Sequence, residues 1–143
     1  MKKTRHAQNT LPHSLGELEL RVMASVWGKP DIEAKEVQET LADRQQSSLS
    51  TIQSTLERLV RKGLLNRQKR GHAFIYTAAV TRAELLGTLI KDVIRLLHDG
   101  RPDTILSSFV NVASRIDDSA LDHLEELIQH KRRQLDDAAH DDD

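Results

Sequence analysis

Ser50, Thr51, Gln53, Ser54 and Arg58 bring three hydroxyls, a carboxamide and a guanidinium into one short stretch. Such groups can bond the edges of stacked base pairs. A glutamine matches adenine bidentately, an arginine reaches guanine or a phosphate, and hydroxyls bond phosphates or touch a thymine methyl. A cationic set follows at once, Arg61, Lys62, Arg67, Lys69 and Arg70, with His72 beside it. From Arg58 to His72 there are six Lys or Arg residues, and after Glu57 no Asp or Glu occurs until Glu84. Neutralising the phosphates of a DNA duplex is the chemistry that this density suits. Two plainer roles stand beside it. The charges could form an ordinary solvated face, and Gln53 could close a capping box on Ser50, although Ser48 is an equally good cap.

The elements that must hold these groups follow from periodicity. Leu49, Ile52, Leu56, Leu59 and Val60 repeat at three and four residues, which predicts a helix with one buried face and the polar residues outward. Lys62-Gly63 ends it, because glycine takes the left-handed conformation past a last turn without steric cost. Leu64–Gln68 and Ala73–Ala78 are β-prone runs flanking Lys69-Arg70-Gly71-His72, a hairpin turn with an exposed cationic tip. Phe74 and Tyr76 fall on one strand face and are expected to pack under the wing. Upstream, Ser14-Leu15-Gly16-Glu17 reads as a capping box opening a helix whose stripe is Leu18, Val22, Met23, Val26 and Trp27. Trp27 continues that stripe and is expected in the core rather than against a ligand. Gly28-Lys29-Pro30 stops this helix, Asp31 caps or precedes the next element, and Ala34, Val37 and Leu41 mark a second helix to about Asp43. Arg44–Ser47 is then a polar turn. Three short helices and a hairpin are the order of a winged helix-turn-helix domain, placed at 14–80 after a basic flexible tail at 1–13.

The remainder is helical. Thr81-Arg82-Ala83-Glu84 is a second capping box, followed by Leu85, Leu86, Leu89, Ile90, Val93, Ile94 and Leu97. Gly100-Arg101-Pro102 breaks that helix, Ile105, Leu106, Phe109 and Val110 mark another to about Ala113, and Asp117 or Asp118 caps a last one with Leu121, Leu124, Leu127 and Ile128. Three amphipathic helices in so few residues bury their faces poorly alone. A second copy would supply the missing core. Residues 81–135 are therefore read as a helical dimerisation domain contacting its copy through Leu85, Leu86, Leu89, Ile90, Val93, Ile94, Leu97, Leu106, Phe109, Val110, Leu121, Leu124 and Ile128, with an acidic tail at 136–143. The fold class is mainly α with a small β-hairpin wing.

The whole-chain balance of −1 over 143 residues hides an asymmetry. Residues 1–80 carry 13 basic and 8 acidic side chains, a net +5, whereas 81–143 carry 8 and 14, a net −6. Binding to a polyanion depends on the local field, so the first half is the candidate surface. The absence of Cys excludes disulfides and thiolate metal sites. No run suits a bilayer span or a signal peptide, which points to the cytoplasm. No nucleophile–base pair has a recognisable spacing, so no enzyme activity and no cofactor is expected. Asp122, Glu126 and His130, with His98-Asp99 near a helix end, carry groups that can bind zinc, and a solvated acidic face is the plainer reading.

The ordered set LGELELRVMASVWG, AKEVQETLADR, SSLSTIQSTLERLVRKGLL and RGHAFIYTAAVTRAEL resembles the penicillinase-repressor family, the BlaI, MecI and CopY type of winged-helix repressor, over most of the chain. The resemblance implies a homodimeric repressor on a palindromic operator, with the third helix in the major groove and the wing beside it. Its DNA-contacting positions fall on Ser50, Thr51, Gln53, Ser54 and Arg58 in the helix and on Arg67, Lys69, Arg70 and His72 in the wing. Members of the β-lactam branch are inactivated by cleavage of an Asn-Phe bond in the dimer domain, where this chain has Ser108-Phe109. Copper-responsive members end in a Cys-rich motif that this chain lacks, which excludes that inducer. The operator, the regulated genes, the inducer and any sensor protease are not given by these residues. Two other functions fit parts of the pattern: a winged-helix adaptor that binds protein, and a metal-responsive regulator using the C-terminal His and acidic side chains.

Overall fold

A computed structural model describes residues 15–43 and 46–142. Helix α1 (Glu17–Gly28) turns Val22, Met23 and Val26 inward. Its cap is Gly16, whose N–H donates to the Glu19 carboxylate at 3.1 Å. The capping box expected on Ser14 lies outside the described residues, and Glu17 instead pairs with Arg21 one turn on at 2.7 Å. Trp27 packs partly buried against the core, where its indole N–H donates to the Val80 carbonyl at 2.9 Å and the Arg82 guanidinium lies 4.9 Å from its ring.

After Gly28-Lys29-Pro30 the chain reverses at Asp31, which takes φ +58°. Aspartate tolerates this left-handed conformation better than most side chains. Ile32–Glu33 then forms a short strand, β1, that the sequence pattern did not reveal. Helix α2 (Ala34–Leu41) buries Val37 and Leu41 and is closed at its start by the Glu36 carboxylate, which accepts the Glu33 N–H at 3.0 Å. Helix α3 (Leu49–Arg61) buries Ile52, Thr55, Leu56 and Leu59. Gly63 at φ +79° ends it with paired bonds, Gly63 N–H to the Val60 carbonyl and Leu64 N–H to the Leu59 carbonyl, both 3.0 Å.

Strands β2 (Leu65–Arg70) and β3 (Ala73–Ala78) pair antiparallel, with Arg70 opposite Ala73 and Leu65 opposite Ala78. The turn is therefore only Gly71-His72, with Gly71 at φ +67°. Lys69 and Arg70, expected in the turn, belong to the strand. β1 pairs with the other edge of β3, Ile32 opposite Tyr76, giving the order β1-β3-β2. One core joins all of these elements: Met23, Ile32, Val37, Ile52, Leu56, Leu59, Leu64, Leu65 and Tyr76 lie in the same buried cluster.

Helices α4 (Arg82–Leu97), α5 (Pro102–Ala113) and α6 (Ala120–Asp141) complete the chain. The Thr81 hydroxyl caps α4 by accepting the Glu84 N–H at 3.0 Å. Gly100 at φ +84° and Pro102 in the first turn of α5 make the break before it. The Asp117 carboxylate folds the turn before α6 by accepting the Ser119 N–H at 2.7 Å. Residues from 136 on, expected to follow the last helix, continue it to Asp141, and Ala138 and Ala139 favour that continuation. The chain divides into two compact units, Met1–Val93 and Ile94–Asp143. The first includes the start of α4 because Leu85, 3% exposed, is buried in its core. Among the described residues no helix is long and apolar enough to cross a membrane.

Leu56 is fully buried where α3 meets this core. Leu56→Ala is expected to lower unfolding stability by about 2–5 kcal/mol, seen as a lower urea midpoint at unchanged slope.

Candidate DNA interface

The outward face of α3 is built from its first turn. The Ser48 hydroxyl accepts the Thr51 N–H at 3.1 Å, which caps the helix. It also gathers the neighbouring hydroxyls, with Ser50 Oγ 3.1 Å and Thr51 Oγ1 2.9 Å away. Ser54 donates to the Thr51 carbonyl at 3.1 Å, and Arg58 donates to Thr55 Oγ1 at 3.2 Å. Ser48 thus fills the role for which Gln53 and Ser50 were rival candidates. The Gln53 carboxamide is exposed and makes no side-chain hydrogen bond among the described residues.

Glu57, one turn beyond Gln53, joins the helix to the hairpin. Its carboxylate receives Arg67 of β2 at 2.5 Å and the Tyr76 hydroxyl of β3 at 2.8 Å. Burial pushes the Glu57 carboxyl up, but the Tyr76 hydroxyl, the Arg67 guanidinium and the charge of Arg61 outweigh it, leaving the carboxyl below its ordinary value. Burial, then the Glu57 carboxylate, raises the Tyr76 phenol. Arg67 also lies 4.4 Å over the Phe74 ring. Phe74 and Tyr76 were expected to pack together under the wing, and only Tyr76 does. Phe74 sits nearer the turn, 41% exposed, and its cover is the guanidinium.

The cations fall into two groups. Arg67 and Lys62 hold the fold, Lys62 by an ion pair with Glu19 at 2.8 Å that ties the end of α3 to α1. Burial raises the Glu19 carboxyl, while Lys62, the Gly16 N–H and the charge of Arg58 together bring it below its usual range. Arg70 stands 3.7 Å from Asp31 on an exposed edge. Arg61 and Lys69 are exposed and form no ion pair among the described residues, and His72 is exposed in the turn. Between the start of α2, α3 and the hairpin lies an open groove of about 620 Å³, lined by Leu49, Gln53, Glu57, Arg67, His72 and Phe74 among others. Leu49 was expected on the buried face; it is instead half-buried at the groove and outside the core cluster.

A profile of the penicillinase repressor family matches residues 15–130. The chain belongs to the penicillinase-repressor family. It is similar to a penicillinase repressor of Bacillus licheniformis, 26% identical over 120 residues that cover 83% of this chain and 93% of that one. It is also 30% identical, over 67% of its length and 71% of the relative's, to a transcriptional regulator BlaI of Mycobacterium tuberculosis. The solution structure of monomeric B. licheniformis BlaI in complex with the blaP half-operator shares 35% identity over 52% of this chain and 90% of that one, with a TM-score of 0.43.

In this penicillinase-repressor-family chain the residues assigned to dimerisation separate by environment. Leu85 is in the core of the first unit and Leu89 packs against that core, whereas Leu86 and Val93 are exposed and Ile90 is half-buried. In the second unit Leu97, 76% exposed, Leu106, Phe109, Val110, Leu121 and Ile128 are exposed, with Ile94 and Leu124 half-buried. Ser108 and Phe109 lie within α5, and the Ser108 hydroxyl donates to the Thr104 carbonyl at 2.7 Å. Among the described residues no three His, Cys, Asp or Glu are grouped to hold a metal ion. Asp122 and His130 stand eight residues apart on one helix, about 12 Å along its axis, too far to share one. Periodicity places Glu57 on the outward face of α3 and gives it no partner. Its isolation among cations, one strand away from a tyrosine, was the available signal.

Glu57 supplies a pH-dependent link between α3 and the wing. A carboxyl lowered in the folded state contributes stability above its unfolded pKa, roughly 4, and loses it as the pH falls through the folded value. Acid titration of unfolding stability should therefore drop more steeply below about pH 4 for the native chain than for Glu57→Gln; parallel curves would contradict the link.

Proposed function

We propose that this chain is a homodimeric repressor that grips a palindromic operator in the cytoplasm, α3 entering the major groove of each half-site and the hairpin lying along the adjoining backbone. Family membership already makes it a DNA-binding transcriptional repressor. The observation that carries the fuller reading is the fixing of a cationic hairpin to the polar face of α3 through Glu57, so that base-edge groups and phosphate partners move as one body. Ser50, Thr51, Gln53, Ser54 and Arg58 supply contacts on the helix, Arg61, Lys69 and Arg70 supply cations around it, and the His72 ring stands beside them in the turn. Lys62 and Arg67 act as internal ties, their charges matched by Glu19 and Glu57.

The second copy is supported by the apolar surface of the C-terminal helices. Neither α5 nor α6 buries a single residue in the isolated chain. Leu106, Phe109, Val110, Val112, Ile116 and Ile128 are all left facing outward, a pattern that marks an association surface. An isologous pair presents two identical readers, which is the symmetry that a palindrome requires.

Binding to a duplex carrying the region upstream of the chain's own gene should weaken steeply with salt. Arg61→Ala and Lys69→Ala should each reduce the slope of log affinity against log salt by about 0.9 per phosphate contact per copy, at every sequence alike. A salt-independent affinity, or slopes unchanged in both variants, would overturn the reading.

A further inference from the structure

We infer that Leu49 and Gln53 act as one specificity element that selects adenine with a nearby thymine, Gln53 bonding the adenine and Leu49 covering the thymine methyl. The inference rests on the reading of α3 as the helix that enters the major groove. Leu49 is its first residue, and the N-terminal residues of such a helix are the ones that meet base edges. The position of the leucine is the unusual fact. Its neighbours Ile52, Leu56 and Leu59 are fully buried, yet Leu49 stays outside that cluster and lines the open groove beside Gln53.

Gln53 follows Leu49 by four residues, so the two side chains share one helix face with their Cβ atoms about 5–6 Å apart. Base pairs stack every 3.4 Å, so the pair spans roughly one to two steps of duplex. The hydroxyls of the first turns hold internal bonds that they must exchange to reach a phosphate. Ser50 and Thr51 cluster on the capping hydroxyl of Ser48, and Ser54 bonds the backbone. What remains is a carboxamide with a free donor and acceptor next to an aliphatic side chain. In the major groove a carboxamide matches adenine N6 and N7, and the thymine C5 methyl is the one apolar group on any base edge. Electrostatics allow the approach: the Glu57 carboxylate at the same groove is neutralised by Arg67, and the exposed Arg61 and Lys69 add positive charge nearby.

The test uses the full chain and the best-bound duplex selected from a random pool. Each thymine of that duplex is replaced in turn by deoxyuridine, which lacks only the methyl, and each adenine by 7-deazaadenine, which lacks only N7. For the native chain one deoxyuridine position per half-site should cost about fourfold in affinity, the worth of one methyl group. That cost should vanish in Leu49→Ala. A 7-deazaadenine within two steps of it should weaken the native chain by about tenfold or more and leave Gln53→Ala unaffected. Leu49→Gln, which suits a helix and carries no branched methyls, repeats the comparison if Leu49→Ala folds poorly, as judged by circular dichroism. Deoxyuridine tolerated at every position by the native chain, or costing the same in the Leu49 variants, would overturn the inference. Loss of salt-dependent binding to unselected duplex by the native chain would instead overturn the assignment of α3 to DNA.

Discussion

Glu57 is the only carboxylate between Asp43 and Glu84, and it joins the polar face of α3 to the hairpin. A two-stranded hairpin has little stability of its own, and its orientation must be imposed from outside. Here the core holds its base through Leu65 and Tyr76 and β1 pairs with β3, while α3 adds one side chain that takes a guanidinium from β2 and a phenol from β3. Arg67 turns back to complete the link and covers Phe74 as it does so. A lone acid inside a cationic run would weaken phosphate attraction if it stood free. Paired with Arg67, it cancels that one guanidinium's charge and ties the hairpin to α3.

Other ties run through the backbone. Gly63 ends α3 with two short carbonyl bonds, so that Leu64 and Leu65 enter the core directly and β2 leaves in one direction. Gly71 closes the turn in two residues, which sets the register that puts Arg67 opposite Tyr76. A slip of one residue would turn Arg67 to the other face of the sheet and separate it from Glu57. β1 then covers the outer edge of β3, and Lys62 ties α3 to α1. Each contact is small. Together they remove the freedom between the helix and the hairpin.

Most of the fold could be read from residue types. The stripes of α1 to α3, the stop at Gly63, the hairpin around Gly71 and the break at Gly100-Arg101-Pro102 all follow from periodicity and backbone preference, and each is present. What periodicity missed has identifiable causes. β1 is two residues long, too short for alternation to register. Leu49 continues the apolar spacing of α3, but at the first turn of a helix a face can project past the core beneath it. Leu85 was read with the dimer stripe because helix spacing gives a face and not the partner that it meets. Lys69 and Arg70 were read into the turn because a glycine marks a reversal without fixing its length. At the interface, the exposed polar groups of α3 were visible as a set, whereas the pairing of Glu57 with Arg67 and Tyr76 joins residues 10 and 19 positions apart and needs the folded chain.

The proposed interface, presented twice by the proposed symmetric pair, makes a definite demand on DNA. Hydroxyl-radical footprinting of the full chain on the region upstream of its own gene is the most direct measurement. Two protected patches related by a two-fold axis should appear, their centres separated by about 10–10.5 base pairs or a multiple of it. Uniform protection without sequence preference, or one asymmetric patch at saturating protein, would contradict the account.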